Sequence, residues 1–305
     1  MWKAALLIFM TIFFTFLIVG GGYAYYMYEL ARDNVRQMND AFDEELGTSP
    51  RNSSNLSGTA IFLIAGIGDR PGEASLSDVI MVVSVNPEDD SILMFNIPRD
   101  TQVSLPDRNG FDKINHSYSY GGINLLKETV ETRLNVKFDY VIESNMNGFV
   151  EIVDVLGNVE VDSPFAFSQN NVENSETHHY EKGPITLDGE RALHYVRMRK
   201  NDPRGDLGRN ERQQQVLSAL LQDARSIDTL LNGQSLLSIL GENVKTNVTM
   251  TDLHSLAADY RHTADNIRTF EIPGSNAIVN GISYYEVSDE EWQKAALRLE
   301  NHQSR

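Results

Sequence analysis

From Ala4 to Tyr28 the chain carries no charged side chain over 25 consecutive residues, and this feature fixes its overall plan. As a helix the stretch would extend roughly 37 Å, more than the ~30 Å hydrocarbon core of a bilayer. A cleaved leader has a shorter apolar run and a small-x-small exit, whereas this run ends in the bulky GGGYAYYMYEL. An uncleaved transmembrane anchor is expected over 1–28, with Tyr23, Tyr25, Tyr26 and Tyr28 as an aromatic belt at one interface. Nothing later in the chain is long and apolar enough for a second span, so the remainder lies on one side.

The charge balance then narrows the partners. Twenty-six Lys and Arg stand against 43 Asp and Glu, a net charge of −17. A broad basic face for nucleic-acid phosphates is therefore not expected, and nucleic acid is excluded as the main partner. The chain has no cysteine, which removes disulfide frameworks, zinc ribbons, iron–sulfur clusters and thiol nucleophiles together.

Residues 29–58 read as a juxtamembrane helix and a tether ending in GTSPRNSSNLSG. The soluble domain is expected over 59–305. AIFLIAGI (60–67), VIMVVSV (79–85) and SILMFNI (91–97) are continuously apolar, β-rich runs, as strands buried on both faces must be. NPEDD (86–90) supplies the turn between the last two. Helical periodicity follows over 121–135 and 147–157, with a strand at 138–145 between them. Further helices are expected over 187–199, 207–226, 249–262 and 290–301, and a strand over 267–272. This order predicts an α/β fold, a three-layer helix–sheet–helix single domain around a central mixed β-sheet. Residues 163–183 read as a surface loop or loose hairpin.

Nucleotide cradles are missing. Gly66-Ile67-Gly68 follows a strand, but the third glycine of a dinucleotide fingerprint would fall at Pro71, and there is no GxxxxGK[ST], G-x-S-x-G or HExxH. His178 and His179 sit in a polar stretch and read as surface histidines, with metal binding the lesser alternative. Cations instead concentrate in one place: between Arg191 and Arg212 seven Lys and Arg stand against three acids. Arginine forks suit two-point contact with phosphate, so this stretch reads either as an anion site or as a solvated, ion-paired helix face. Asp69, Asp78 and Arg99-Asp100 fall at predicted strand ends, where sites in α/β sheets collect.

Five ordered blocks carry a resemblance: SDVIMVVSVNP (77–87), FNIPRDT (95–101), KINHSYSYGG (113–122), FDYVIESNMNGFVEIVDVLGNVEV (138–161) and LDGERALHYVRMRKNDPRGDLGRNERQQQV (187–216). They are similar to the LytR-CpsA-Psr cell-wall ligases of Gram-positive bacteria, over a motif core of 60–224, with 225–305 as a helical completion. The resemblance implies a cell-membrane protein with one span and an extracytoplasmic domain. Such a phosphotransferase moves an anionic glycopolymer, of the wall teichoic acid type, from a polyprenyl diphosphate carrier to a peptidoglycan hydroxyl, assisted by Mg²⁺.

Carried over by position, Asp78 resembles the aspartate of the S-D block and Arg99 the arginine of the P-R-D block, with Asp100 beside it. Arg197, Arg199, Arg209 and Gln213 match the R-x-R…R…Q set that holds the diphosphate. Asp78, Asp100 and Arg99 are thus the expected catalytic residues, Arg99, Arg197, Arg199, Arg209 and Gln213 the diphosphate ligands, and Asp78 and Asp69 the metal side. Two positions depart from the pattern. Where the family reads G-x-D-x-R this chain has Gly68, with the acid displaced to Asp69. Around S-D it has Leu76 and Val79 in place of an arginine and a threonine. Two rival readings stay open, a phosphatase using water as acceptor and a non-catalytic protein that binds lipid-linked polymer.

Overall fold

The computed structural model describes residue 22 and residues 25–44, 58–68, 74–106, 108, 110–170, 176–223, 233–259 and 262–304. Most of the expected anchor, the 45–57 tether and Asp69 lie outside these residues. Among the described residues no helix is long and apolar enough to cross a membrane.

The central sheet contains β1 (Ala60–Gly68), β2 (Leu76–Asn86), β3 (Ser91–Asn96), β6 (Tyr140–Asn145), β11 (Val244–Thr246) and β12 (Ile267–Glu271), in the order β11-β6-β1-β2-β3-β12. Between these lie the hairpin β4 (Gln102–Ser104) and β5 (Phe111–Lys113), then β7 (Val159–Ser163), β8 (Phe167–Asn170), β9 (Thr177–Tyr180) and β10 (Gly183–Leu187). A last hairpin, β13 (Ser275–Val279) and β14 (Ile282–Glu286), follows the sheet. Besides a helix over 25–44 that precedes the sheet, the helices are α1 (His116–Leu134), α2 (Met146–Leu156), α3 (Gly189–Arg197), α4 (Asp206–Asp223), α5 (Gly233–Asn243), α6 (Met250–Asp259) and α7 (Asp289–Gln303). Strands β1, β3, β6 and β12 run in one direction and β2 and β11 in the other, so the sheet is mixed.

The apolar runs follow from the period-2 geometry of strands. Ile61, Leu63, Ala65 and Ile67 of β1 point into a core completed by Leu126 and Val130 of α1 and Trp292 and Leu299 of α7. Their neighbours Ala60, Phe62 and Ile64 point to the opposite face, where Leu217 and Leu221 of α4 and Leu253 and Leu256 of α6 cover them. Each aliphatic side chain so buried contributes about 1.5–3 kcal/mol, and a polar residue at either parity would lose that. Helices on both faces of one sheet give the expected three layers.

Three details differ from the sequence reading. Helix α1 starts five residues before its periodic stretch and kinks at Gly121 and Gly122, the latter at φ +60°. Over their described part residues 163–183 take the hairpin alternative, β8 paired antiparallel with β9, and it is well packed rather than loose. Phe167 of β8 stacks on Tyr180 of β9 with ring centroids 4.6 Å apart, and both are buried with Val161, Leu187 and Tyr195 in a third core. Three aromatic rings hold this excursion down, a signal that its polar composition hides. Finally, helix 25–44 buries Val35, Met38 and Phe42 against the domain, and its Asn39 donates to the Thr246 and Val248 carbonyls at the β11 edge, at 2.6 and 3.0 Å. A free strand edge invites pairing with other chains, and this helix covers it.

Candidate active site

Because β1, β3, β6 and β12 are parallel to one another, their carboxyl ends lie along the same sheet margin, where ligands bind in α/β sheets. Gly68 ends β1, Asn96 ends β3 and leads through Ile97-Pro98 to Arg99 and Asp100, and Asn145 ends β6 and caps α2, accepting from Gly148 N at 2.8 Å. Asp78, near the start of the antiparallel β2, arrives at the same margin beside Gly68. The turn carrying Arg99 and Asp100 is braced: Ile114 N donates to Thr101 O at 2.8 Å, Asn115 N to Arg99 O at 3.2 Å and Tyr285 N to Asp100 O at 2.9 Å.

The arginine-rich stretch wraps over this margin. Helix α3 is started by the Asp188 side chain, which accepts from Arg191 N, and the helical conformation stops at Met198. Arg197 and Arg199 therefore flank the point where the chain turns toward α4. Arg99 donates to Asp78 Oδ1, Asp100 pairs with Lys113 at 2.8 Å and with Arg199 at 3.6 Å, and Asp206 bridges Arg199 at 3.3 Å and Arg209 at 2.8 Å. Arg197 reaches the cluster through Met146, whose sulfur accepts from its Nη1 at 3.0 Å. A Cβ on Gly68 would come within 3.1 Å of the Met146 methyl and 2.5 Å of Asp78 Oδ2. Arg99, Arg199, Asp78 and Asp100 thus meet at this margin, Arg197 adjoins them through Met146, and Arg209 is seated beneath at 5% exposure.

Not all of the seven cations belong here. Arg191 donates to His179 O, Arg204 pairs with Glu211 and Glu271, and Arg212, 1% exposed, is bound by Asp202 and by the Tyr195 and Met198 carbonyls. These three support the fold. Gln213 is buried below the site, its Oε1 accepting from Asn96 Nδ2 at 2.7 Å while Gln214 returns a bond to Asn96 Oδ1 at 3.0 Å. That exchange locks α4 to the end of β3. Lys113 escaped the sequence reading; its only signal was its place at the head of the KINHSYSYGG block.

The electrostatics favour an added anion. Among the described residues, five cations (Arg99, Arg197, Arg199, Arg209, Lys113) meet three carboxylates (Asp78, Asp100, Asp206). Burial, and then the neighbouring Arg99 and Arg199, pull the Arg209 guanidinium down to about 10 against the attraction of Asp206 and Asp78. Among the described residues, the Nε–H groups of Arg99 and Arg209 are buried with no hydrogen-bond acceptor. A buried unsatisfied donor costs about 1–3 kcal/mol, so the cluster holds donors that an anionic oxygen would satisfy.

Burial works to raise the Asp100 carboxyl, but Lys113, Arg99 and Arg199 outweigh it and hold it below the usual carboxylate range. The unfolded chain then binds the proton more readily. The pairing stabilises fully above the ordinary pKa of about 3.9 and is lost as pH falls through the lower folded value. The stability difference between wild type and Asp100→Asn should therefore be flat above about pH 5 and shrink only below about pH 4. Denaturant unfolding at a series of pH values measures it, and a difference that varied between pH 5 and 8 would contradict this assignment.

Gly68 makes a second expectation. An added methyl would force Asp78 Oδ2 aside, and a flexible carboxylate end yields at little steric cost. Gly68→Ala should fold normally yet break the Arg99–Asp78 pair and lower activity by about tenfold, as a 1 Å displacement in a positioned site can. Equal melting temperature with reduced turnover is the pattern to look for; unchanged turnover would show that Asp78 need not stay where it is.

The LytR_cpsA_psr family matches residues 25–301. The chain belongs to the LytR-CpsA-Psr family. Among curated LytR-CpsA-Psr relatives, the polyisoprenyl-teichoic acid–peptidoglycan teichoic acid transferase TagU of Bacillus subtilis (strain 168) is 35% identical over 287 residues, covering 94% of this chain and 92% of its own. The protein of the same name from Oceanobacillus iheyensis is 41% identical over 246 residues, 79% of this chain and 75% of its own. The crystal structure of B. subtilis TagV superposes with a TM-score of 0.72 at 34% identity, covering 82% of this chain and 98% of that one. TagT bound to LIIa-WTA superposes with a TM-score of 0.69 at 28% identity, covering 85% and 98%. The fold of this LytR-CpsA-Psr chain, a mixed central sheet within helices, is theirs.

Proposed function

We propose that this protein is a polyisoprenyl-teichoic acid–peptidoglycan teichoic acid transferase, a phosphotransferase that attaches an anionic glycopolymer to peptidoglycan. The observation that carries this reading is the convergence of Arg99, Arg197, Arg199 and Arg209 at the carboxyl ends of the parallel strands, with buried donors left over. Diphosphate oxygens would satisfy those donors, and the forks would fix the two phosphorus centres. The names of the relatives and the teichoic acid bound to TagT support the same substrate class.

In the reaction a sugar hydroxyl of peptidoglycan attacks the phosphorus joined to the glycopolymer. A new P–O bond forms there, and the bridging P–O bond breaks with its electron pair leaving on polyprenyl monophosphate. Charge grows on that leaving phosphate, and the preplaced guanidiniums stabilise it without reorganising. The hydroxyl proton passes to a carboxylate at the margin, Asp100 or Asp78. Asp100, held ionised by Lys113 and Arg199, is in the accepting form at neutral pH.

The residues fit a hard divalent ion. Asp78 Oδ1 is taken by Arg99, while Oδ2 lies beside Gly68 with no side chain of that residue against it, and magnesium asks for one or two carboxylates plus substrate phosphate oxygens. Mg²⁺ held by Asp78, with Asp69 as a second donor, would neutralise phosphate charge. The anchor at 1–28 would keep the domain outside the cell beside its lipid carrier, and the exposed Tyr25, Tyr26 and Tyr28 suit an interface.

The deciding experiment is transfer reconstituted from a synthetic lipid-linked donor, a peptidoglycan oligomer and Mg²⁺. Polymer joined to peptidoglycan, with polyprenyl monophosphate released, is the expected outcome. Phosphate release without attachment would replace the reading with a phosphatase, and donor binding without turnover with a polymer-binding protein.

A further inference from the structure

Away from the arginine cluster, two histidines from different elements face each other with unmet nitrogens. His178 on β9 and His194 on α3 stack with ring centroids 4.9 Å apart and planes 17° from parallel. Glu190 lies one helical turn before His194, on the same face. One ligand atom from each of the three lies within 4.8 Å of the others, the single such His/Asp/Glu group among the described residues. His194 is 2% exposed, and both of its ring nitrogens, together with Nε2 of His178, are buried without a hydrogen-bond partner among the described residues.

A neutral imidazole offers one donor and one acceptor, and each left unmet in a buried place costs about 1–3 kcal/mol. Three such nitrogens in one spot are a concentrated deficit, unlike the satisfied His302, whose two nitrogens meet Ser84 and Ser91. We infer that His178, His194 and Glu190 form a binding site for one zinc-class divalent cation, distinct from the phosphate-binding margin. Two imidazoles and a carboxylate are the donor set of borderline metals such as zinc, whereas magnesium and calcium take oxygen.

Zinc bonds of about 2.0–2.2 Å place tetrahedral donors roughly 3.4 Å apart, so donors now within 4.8 Å of one another would close by up to about 1.4 Å, the exposed Glu190 by rotation and the two rings by a shift of β9 against α3. Burial first, then His178 and Arg197, bring His194 down to about 4, so its lone pair is free at neutral pH. Asp188 and Glu176 act on the same ring in the opposite sense and favour a cation there. A bound ion would tie β9 to α3 three residues before Arg197, adding a cross-link to the Tyr180 hydroxyl bond to Arg191 O at 2.8 Å. Its fourth position stays open to water. The role is that of a positioning ion for the helix that carries an arginine into the site.

The test uses the full-length protein in detergent, stripped with a chelator and titrated with Zn²⁺ against a chromophoric competitor, with Co²⁺ as a spectroscopic probe. The expected result is one zinc per chain, visible bands of four-coordinate cobalt, and no displacement by excess Mg²⁺. His178→Ala and Glu190→Gln should each weaken binding by about tenfold or more, while His179→Ala and Asp78→Asn leave it intact. The buried His194→Ala variant can fail to fold, so the test relies on the other two. Substoichiometric zinc, binding indifferent to both His178→Ala and Glu190→Gln, or displacement by Mg²⁺ would each overturn the site.

Discussion

Arg209→Ala should lower the transfer rate by about 10²–10³-fold, the usual loss when one preorganised donor to developing charge is removed. Arg209 is the deepest cation of the cluster, and its Nε–H, like that of Arg99, is buried without an acceptor among the described residues. Its local partner Asp206 keeps Arg199 at 3.3 Å, so the carboxylate is not stranded by the change. Folding and chemistry can therefore be separated: melting temperature reports the first, single-turnover transfer from a lipid-linked donor the second. Arg209→Lys should fall between wild type and alanine, because a lysine restores the charge but not the fork. Arg197→Ala and Arg199→Ala should also cost orders of magnitude, and turnover near wild type in all three would remove the diphosphate assignment.

Much of this arrangement was legible in the chain before folding. The strands announce themselves because both faces of the sheet are covered, so β1 and β2 need apolar residues at both parities and read as unbroken runs. Arg99 and Asp100 were readable because they follow a strand end directly. What composition could not do was divide the arginines of 191–212 by task. Arg209 and Arg212 are three apart on α4 and both buried, yet one underlies the site while the other braces the backbone. That difference arises from which carbonyls the preceding turn presents, and a turn ending α3 at Met198 has no periodic signature. The β8–β9 hairpin was legible only as one of two alternatives, a loop or a loose hairpin, for a related reason. Among its described residues Phe167 and Tyr180 are buried in the core with Phe165 packed beside them, too few to show as a pattern. His194 was hidden too, since its partner His178 lies 16 positions away on another element.

Arg212→Met should destabilise the protein by about 3–5 kcal/mol, the cost of leaving one member of a buried ion pair uncompensated. Arg212 and Asp202 are 1% and 2% exposed at their side chains, so neither charge has water to fall back on. The guanidinium also donates to Tyr195 O at 3.0 Å and to Met198 O, the carbonyls that bracket Arg197. In a domain of this size such a loss lowers the melting temperature by roughly 6–20 °C. Asp202 has a further constraint: a Cβ on Gly208 would run into its carboxylate, so Gly208→Ala should weaken the same pair from the other side. Adding Asp202→Asn to Arg212→Met removes the stranded charge, and the double variant should be less destabilised than the sum of the two single changes. That non-additivity, read from denaturant midpoints, distinguishes a buried charge pair from simple loss of packing. Because the lost bonds anchor Tyr195 and Met198, the folded fraction of Arg212→Met should also transfer polymer more slowly than wild type at equal concentration. A stability loss below about 1 kcal/mol, the range of a solvent-exposed ion pair, would show that Arg212 does not hold the arginine-bearing turn in place.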